Sequence, residues 1–92
     1  MKILHIVREK GHELALSTAL SQSINEGIQK VTVLLIHDAV LTNKDSAALL
    51  GGMEVFALKD DVEARGVKAS YPLLDYEGML RLIFESDKVI TW

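Results

Sequence analysis

The sequence predicts a single α/β domain over residues 1–92, with a mainly parallel sheet of about four to five strands and helices on both faces. Two observations lead to this class. Val31–Asp38, which reads VTVLLIHD, is apolar without alternation, as expected for a strand buried on both faces. Strand-like and helix-like stretches also alternate along the whole chain, and we find no repeat, linker or low-complexity tract.

The composition excludes several classes of function. The formal net charge is −3 and the lysines and arginines are scattered, so we expect no direct binding of RNA or DNA. The absence of cysteine excludes disulfides, cysteine-ligated zinc and thiolate chemistry carried by this chain. The apolar fraction of 49% is at the high end of the globular range, so either the core is dense or some apolar surface is kept for a partner, which favours an oligomer.

The apolar runs are too short for a membrane protein. None of them reaches the eighteen or so residues of a membrane-spanning helix. The first run, Lys2–Val7, is also too short for the core of a signal peptide. We therefore expect a cytoplasmic protein that makes no membrane contact.

The first half of the chain predicts a βαβ unit. Lys2–Val7 is the first strand, and Glu13–Glu26 is a helix whose apolar positions recur every four residues (Leu16, Leu20 and Ile24). Gly27 is the expected end of that helix. Val31–Asp38 follows as the central strand.

The second half predicts three shorter strands and three helical segments. Thr42-Asn43 caps a short helix through Ala47–Leu50 that ends at Gly51-Gly52, and Asp60 caps a turn or two of helix that ends at Gly66. Asp75 caps the last helix. That helix places four side chains on one face: Tyr76, Met79, Leu80 and Ile83. The strands are Met53–Leu58, an edge strand within Lys68–Leu74 that contains Pro72, and Val89–Trp92.

The candidate binding or interface residues are His37, Asp38, Arg65 and Trp92. His37 and Asp38 end the central strand, and ligands of open α/β sheets gather beyond the carboxyl ends of strands. Adjacent strand residues point to opposite faces, so we expect Asp38 to cap the next turn and His37 to meet a partner chain, without a catalytic dyad. Arg65 and Trp92 belong to the residue types that dominate binding energy at interfaces. Trp92 packs either on its own sheet or on another subunit.

Metal and cofactor sites are poorly supported. His12-Glu13 begins like a zinc-protease helix, but Leu16 stands where the second histidine is needed. Helix capping explains two of the three acids at positions 60, 61 and 63, and no dinucleotide or nucleoside-triphosphate motif is present. His5 is interpreted as a structural histidine. We assign no catalytic residue, no metal and no cofactor.

Several separated pieces resemble the DsrH/TusB family of DsrE/DsrF/DsrH-like sulfur-relay proteins over essentially the whole length. They are Leu4-His5 with Val7, Gly27 with Val33–Ile36 and Asp38, Val55–Leu58 with Asp61 and Ala64-Arg65-Gly66, and Asp75-Tyr76 with Leu82 and Trp92. The resemblance implies a flavodoxin-like fold and a subunit of an oligomer that passes persulfide sulfur between cysteines. The sequence departs from the family at Leu20, where some relatives carry cysteine, and at Arg8–Gly11, where the family has Lys-Ser-Pro.

Three functions stay open at this point. The first is a non-catalytic subunit of a cytoplasmic sulfur-relay complex, as in 2-thiolation of the tRNA wobble uridine or dissimilatory sulfur oxidation. Its partners would be cysteine-bearing DsrE/DsrF-like (TusD/TusC-like) paralogues, or further copies of itself. The second is a stand-alone small-molecule binder or enzyme that uses the crevice around His37, Asp38 and Asn43. The third is a homo-oligomer without a relay role.

Overall fold

In the part of the chain that the structure describes, five strands form one sheet and three α-helices cover it. The structure is a computed structural model that describes residues 1–25, 27, 30–42, 53–68 and 71–92. The described elements, in chain order, are β1 (Lys2–Val7), α1 (Glu13–Ser23), β2 (Lys30–Leu35), a 3-10 turn (His37–Leu41), β3 (Glu54–Leu58), α2 (Lys59–Arg65), β4 (Leu73–Leu74), α3 (Tyr76–Glu85) and β5 (Lys88–Thr91). The helix predicted through Ala47–Leu50, with its end at Gly51-Gly52, lies outside the described residues.

All described strand pairs are parallel, in the order β4-β3-β2-β1-β5. The α/β class, the parallel sheet and the helices on both faces are therefore confirmed. β1 to β4 lie side by side in chain order, and β5 returns to the far edge beside β1. The reversal falls between β1 and β5, whereas flavodoxin itself has the order 2-1-3-4-5. β4 has two residues at the other edge, as Pro72 predicted.

The two faces of the sheet have separate apolar cores. On one face, Val33 and Leu35 of β2 pack with Leu16 of α1 and Val62 of α2. On the other face, the buried side chains of β1 and β2 pack against α3 (Leu4, Ile6 and Leu34 against Met79, Leu82 and Ile83). Right-handed crossovers explain this division, because the β4-to-β5 connection runs opposite to the others and so covers the opposite face.

The helices differ from their predicted ends in two places. α1 stops at Ser23, before the predicted end at Gly27, and Ile24 is 80% exposed. α2 begins at Lys59 after Leu58, so Asp60 lies inside its first turn and the predicted capping role of Asp60 is wrong. The predicted end at Gly66 is confirmed: its φ of +60° is the left-handed conformation that suits glycine.

The face of α3 also differs from the prediction. Met79 and Ile83 pack on the sheet as expected, but Tyr76 and Leu80 are about half exposed. Asp75 caps the helix as predicted, since its Oδ1 accepts a hydrogen bond from the Gly78 amide at 2.8 Å. Within the described ranges, the structure holds no helix that is both long and apolar enough to cross a membrane.

Candidate functional site

A sharp turn follows β2 at the carboxyl end of the sheet. β2 ends at Leu35, so His37 and Asp38 lie in the 3-10 turn and the prediction that the strand continues through them is wrong. His37 has a φ of +51°, a left-handed conformation that costs a residue with a side chain about 1–2 kcal/mol. The turn is held by buried Ala39, whose amide donates to the carbonyl oxygens of Ile36 at 3.0 Å and Arg8 at 3.2 Å.

Asp61 fixes this turn from the neighbouring helix. The backbone N–H of His37 donates to Oδ2 of Asp61 at 2.8 Å. The carboxylate therefore compensates the unusual backbone at His37 with a charge-assisted hydrogen bond. The His37 ring stays exposed at the surface, where it can meet another molecule.

The guanidinium group of Arg65 binds both Asp38 and Asp61. Its Nε and Nη2 donate to Oδ1 of Asp38 at 3.2 and 3.0 Å. Its Nη1 donates to the backbone oxygen of Asp61 at 3.3 Å and lies 3.7 Å from Oδ1 of that carboxylate. The Asp38 side chain is 72% exposed and that of Arg65 is 28% exposed. His37, Asp38 and Arg65, three of the four predicted residues, are thus brought together by Asp61.

Trp92, the fourth predicted residue, lies at a second cluster beyond β5. Its indole Nε1 donates to Nδ1 of His5 at 3.0 Å, and the two rings stack with their centroids 6.1 Å apart. The His12 ring is tilted against the indole at 5.4 Å. The Nε of Arg8 donates to the backbone oxygen of Trp92 at 2.7 Å. The indole is thus packed within its own chain, and a role at an interface stays a prediction.

His5 is a structural histidine held in one tautomer, as the sequence predicted. An indole N–H only donates, so Nδ1 accepts and the ring proton lies on Nε2, which donates to Oε1 of Gln22 at 2.5 Å. Burial lowers the pKa of His5 below its usual value, and the positive charge of Lys88 acts in the same direction, although the bond to Gln22 opposes both. The neutral ring is therefore the form that the fold selects.

The loop after β1 connects the two clusters. Arg8 accepts from the Ala39 amide through its backbone and binds the Trp92 carbonyl through its side chain. Further along the same loop, the Gly11 amide donates to Oγ1 of Thr42 at 3.3 Å. Trp92, the loops after β1 and β2, and the polar face of α2 that includes Asp61 and Arg65 together form what we call the carboxyl edge. The Trp92 indole contacts the rings of His5 and His12 and packs against the core cluster that contains Leu16.

Sequence reasoning missed the roles of three residues at the two clusters. Asp61 enters the sequence analysis as one of three acids and as part of the family resemblance, although its spacing of four residues from Arg65 indicates an ion pair on one helix face. His12 is the N-cap of α1, and its Nδ1 accepts from the Ala15 amide at 3.1 Å. Histidine is not among the preferred capping residues, so no sequence signal marked it. Nothing in the sequence marked Gln22 as the partner of His5.

The polar groups of the carboxyl edge are engaged with one another. Asp38 is engaged by Arg65, and the backbone of His37 is engaged by Asp61. In the ranges that the structure describes, no three His, Asp or Glu side chains are grouped so that they could hold a metal ion. The chain has no cysteine. These features define an α/β protein with a parallel sheet and a cluster of polar side chains at the carboxyl ends of its strands.

The chain belongs to the DsrH-like family. The family model described as DsrH like protein matches residues 14–89, which is most of the chain. A comparison with curated proteins finds none that matches. Among solved structures, a conserved protein of unknown function from Bacteroides thetaiotaomicron, BT1422, is similar with a TM-score of 0.73 and 12% identity. The alignment covers 98% of this chain and 94% of that one, and it shows a shared fold.

Proposed function

We propose that this chain is a non-catalytic, partner-binding subunit of a cytoplasmic sulfur-relay complex. The observation that carries the proposal is the match to the DsrH-like family in a chain that contains no cysteine. The complex would pass persulfide sulfur either toward 2-thiouridine at the tRNA wobble position or within dissimilatory sulfur oxidation. Its other subunits would be cysteine-bearing DsrE/DsrF-like (TusD/TusC-like) paralogues.

The chemistry of persulfide transfer limits what this chain contributes. The thiolate of the accepting cysteine attacks the outer sulfur of a persulfide. The bond between the two persulfide sulfurs breaks, and the donor cysteine departs as a thiolate. Both groups must be cysteines of other subunits, because this chain has none. The contribution of this chain is therefore to bind such a subunit in a fixed position, and no group of its own is oxidised or reduced.

The carboxyl edge has the properties expected of the binding surface. Arginine is enriched among residues that carry binding energy, and the guanidinium of Arg65 is held by two acids, so little side-chain freedom is lost on binding. The exposed Asp38 carboxylate and the exposed His37 ring stand beside it. Backbone strain such as that at His37 is found where a surface must keep a defined shape.

The stand-alone binder of small molecules gains no support from the geometry. The Asp38 carboxylate is engaged by Arg65 and the His37 backbone N–H is engaged by Asp61, so neither of these groups is held free for a ligand. Asn43, the third residue expected in that role, lies outside the described residues. Self-association without a relay role stays a separate hypothesis, and the experiment below distinguishes it.

Native mass spectrometry of the tagged chain, purified from its own host without crosslinking, tests the proposal. We expect a complex that contains cysteine-bearing relatives in equal copies, identified by their masses. A thiol-reactive label should modify those relatives and leave this chain unmodified. Recovery of the chain alone, or only with further copies of itself, would contradict the relay-subunit function and favour self-association.

A further inference from the structure

Hydrogen bonds hold Trp92 in place at the end of β5. Its backbone N–H donates to the Ile6 carbonyl oxygen at 2.9 Å, and its backbone oxygen accepts from Nε of Arg8 at 2.7 Å. Its indole Nε1 donates to Nδ1 of His5 at 3.0 Å. Of these bonds, only the indole bond has a partner that titrates in the weakly acidic range. The position of Trp92 therefore depends on whether His5 carries a second ring proton.

Of the two rings, the indole is the one that can move. His5 is fully buried in the middle of β1, which pairs with β2 on one side and with β5 on the other. Its Nε2 donates to Gln22 of α1, and a protonated ring keeps that bond, because Nε2 still carries its proton. Trp92 follows an edge strand and is only partly buried. A proton on Nδ1 of His5 therefore displaces the indole.

β5 is an element that can open without the rest of the fold. It has four residues, of which Lys88, Val89 and Thr91 are exposed. In the described ranges, none of the buried residues of the two apolar cores belongs to β5. Elements with few buried apolar contacts open locally at a smaller free-energy cost than global unfolding. Release of Trp92 can therefore precede the loss of the fold.

The surroundings of His5 oppose protonation while the indole is bound. Burial lowers the pKa of the ring, and the positive charge of Lys88 on β5 acts in the same direction, although the bond to Gln22 of α1 opposes both. On the other neighbouring strand, β2, the residue in register is Val33, which carries no charge. Once the indole has left, water reaches the ring and its pKa returns toward the usual value near 6.5. The open form therefore binds the proton more tightly, and acid shifts the population toward it.

Two other groups that can carry charge contact Trp92. Nε of Arg8 binds its backbone oxygen, and the His12 ring is tilted against the indole at 5.4 Å. The guanidinium of Arg8 stays charged at every pH of interest. His12 is a second ring that titrates in the weakly acidic range, so a test has to separate it from His5.

We propose that His5 and Trp92 form an acid-sensitive latch, in which protonation of His5 releases the Trp92 indole and the end of β5 while β1 to β4 stay folded. The release also alters the carboxyl edge, because Arg8 loses the carbonyl oxygen that it binds. The backbone of Arg8 accepts from the Ala39 amide, so this change falls directly beside the turn of His37. The inference concerns the isolated chain and does not depend on the proposed function.

Tryptophan fluorescence tests the latch, because Trp92 is the single tryptophan of the chain. As the pH falls below about 6.5, the emission maximum of the wild type should move to longer wavelength, and acrylamide should quench it more strongly. Far-UV circular dichroism should stay nearly constant through this transition. His5→Gln, whose side chain does not titrate, should lose the transition. An emission maximum that stays constant until circular dichroism reports unfolding would overturn the proposal.

His12→Asn is the matched control, because it removes the other ring from the indole and keeps a preferred N-cap residue on α1. This variant should show the transition at the same pH as the wild type. A transition that persists in His5→Gln, or that disappears in His12→Asn, would overturn the proposal.

Nuclear magnetic resonance of the wild-type chain provides a test that requires no variant to fold. The indole N–H signal of Trp92 and the ring signals of His5 should change with one common midpoint, whereas the backbone amides of β2 stay constant through it. Different midpoints for the two rings would overturn the proposal, and neither result bears on the relay function.

Discussion

The Trp92 indole donates its N–H to Nδ1 of His5 at 3.0 Å, which ties the end of β5 to the middle of β1 across 87 positions of sequence. This contact requires a His5 ring whose Nδ1 carries no proton. Protonation of the ring would place two N–H groups against each other at a buried site. The closing strand is therefore bound most firmly when His5 is neutral, which makes this contact sensitive to acid.

We predict that stability falls as the solution becomes acidic below about pH 6.5, the usual pKa of histidine. Burial lowers the pKa of His5 in the folded chain, so the unfolded chain binds the proton first and acid favours unfolding. The stabilisation is complete above the unfolded value and is lost as pH falls through the folded value. The urea concentration at the midpoint of unfolding, measured from pH 6.5 downward, should fall accordingly.

The contribution of His5 to this pH dependence can be isolated by comparing two histidine variants. His5→Gln should reduce the slope of stability against pH between about 6.5 and the folded pKa. His37→Asn, which removes an exposed ring and suits the left-handed backbone, should keep that slope. Equal slopes in the wild-type chain and His5→Gln would show that another group is responsible.

Trp92→Phe should destabilise the fold by about 1–3 kcal/mol, because Nδ1 of buried His5 loses its donor. Tyr71→Phe is the contrasting variant. In the described part of the chain the buried Tyr71 hydroxyl has no hydrogen-bond partner, and burial raises its pKa. Removing it should be neutral or stabilise by up to about 1 kcal/mol. Chemical unfolding followed by circular dichroism measures both, and an equal loss in both variants would contradict the assigned hydrogen bond.

His37→Gly should leave stability unchanged or raise it by up to about 1 kcal/mol, since glycine adopts a φ of +51° without a Cβ clash. His37→Val should lower it, because a β-branched residue is strained there. If the ring of His37 contacts a partner, both variants should bind that partner more weakly. A His37→Val variant as stable as the wild type would show that the turn is not strained.

Gly66→Ala should cost about 1 kcal/mol or more, since the residue ends α2 at a φ of +60°. Gly27→Ala provides a comparison, because an added Cβ would make only an ordinary 3.5 Å contact with Oδ1 of Asn25. Its stability should stay within about 0.5 kcal/mol of the wild type. Thermal melts compare the two variants with the wild type. Equal melting temperatures would contradict the requirement for glycine at the end of α2.

Much of the fold could be predicted because each strand has a strong local signal. The unbroken apolar run at Val31, the proline at position 72 and the cap at Asp75 each determine an element from its own residues. Helix ends were less predictable. α1 ends at Ser23 and α2 begins at Lys59, and neither terminus carries a residue that strongly favours a helix end there. The packing of the neighbouring strands therefore decides these boundaries.

The candidate site could be predicted in part. His37 and Asp38 were identified from their place at the end of a strand, and Arg65 from its residue type. Their contact could not be predicted, because Asp38 and Arg65 lie 27 positions apart in the sequence. The contact between Trp92 and His5 depends on β5 lying beside β1, which no local pattern reveals. The left-handed backbone at His37 was likewise hidden, because histidine is enriched in that conformation but adopts it too rarely for the residue type alone to predict it.

We propose that the carboxyl edge binds a cysteine-bearing relative through Arg65. The most direct measurement is the affinity of this chain for the relative identified by native mass spectrometry, determined by titration calorimetry for the wild type, Arg65→Ala and Lys59→Ala. Both variants remove one positive charge from α2. Lys59→Ala loses an exposed ion pair with Glu63 and should change stability by less than about 1 kcal/mol. Arg65→Ala loses its pairs with Asp38 and Asp61 and should destabilise more, because Arg65 is only 28% exposed, so circular dichroism must first show that it folds.

Arg65→Ala should weaken binding at least about 10-fold, and Lys59→Ala should change it less than about 2-fold. This result would establish the Arg65 side of the carboxyl edge as the surface that receives the sulfur-carrying subunit. Wild-type affinity in Arg65→Ala, or equal losses in both variants, would contradict the claim.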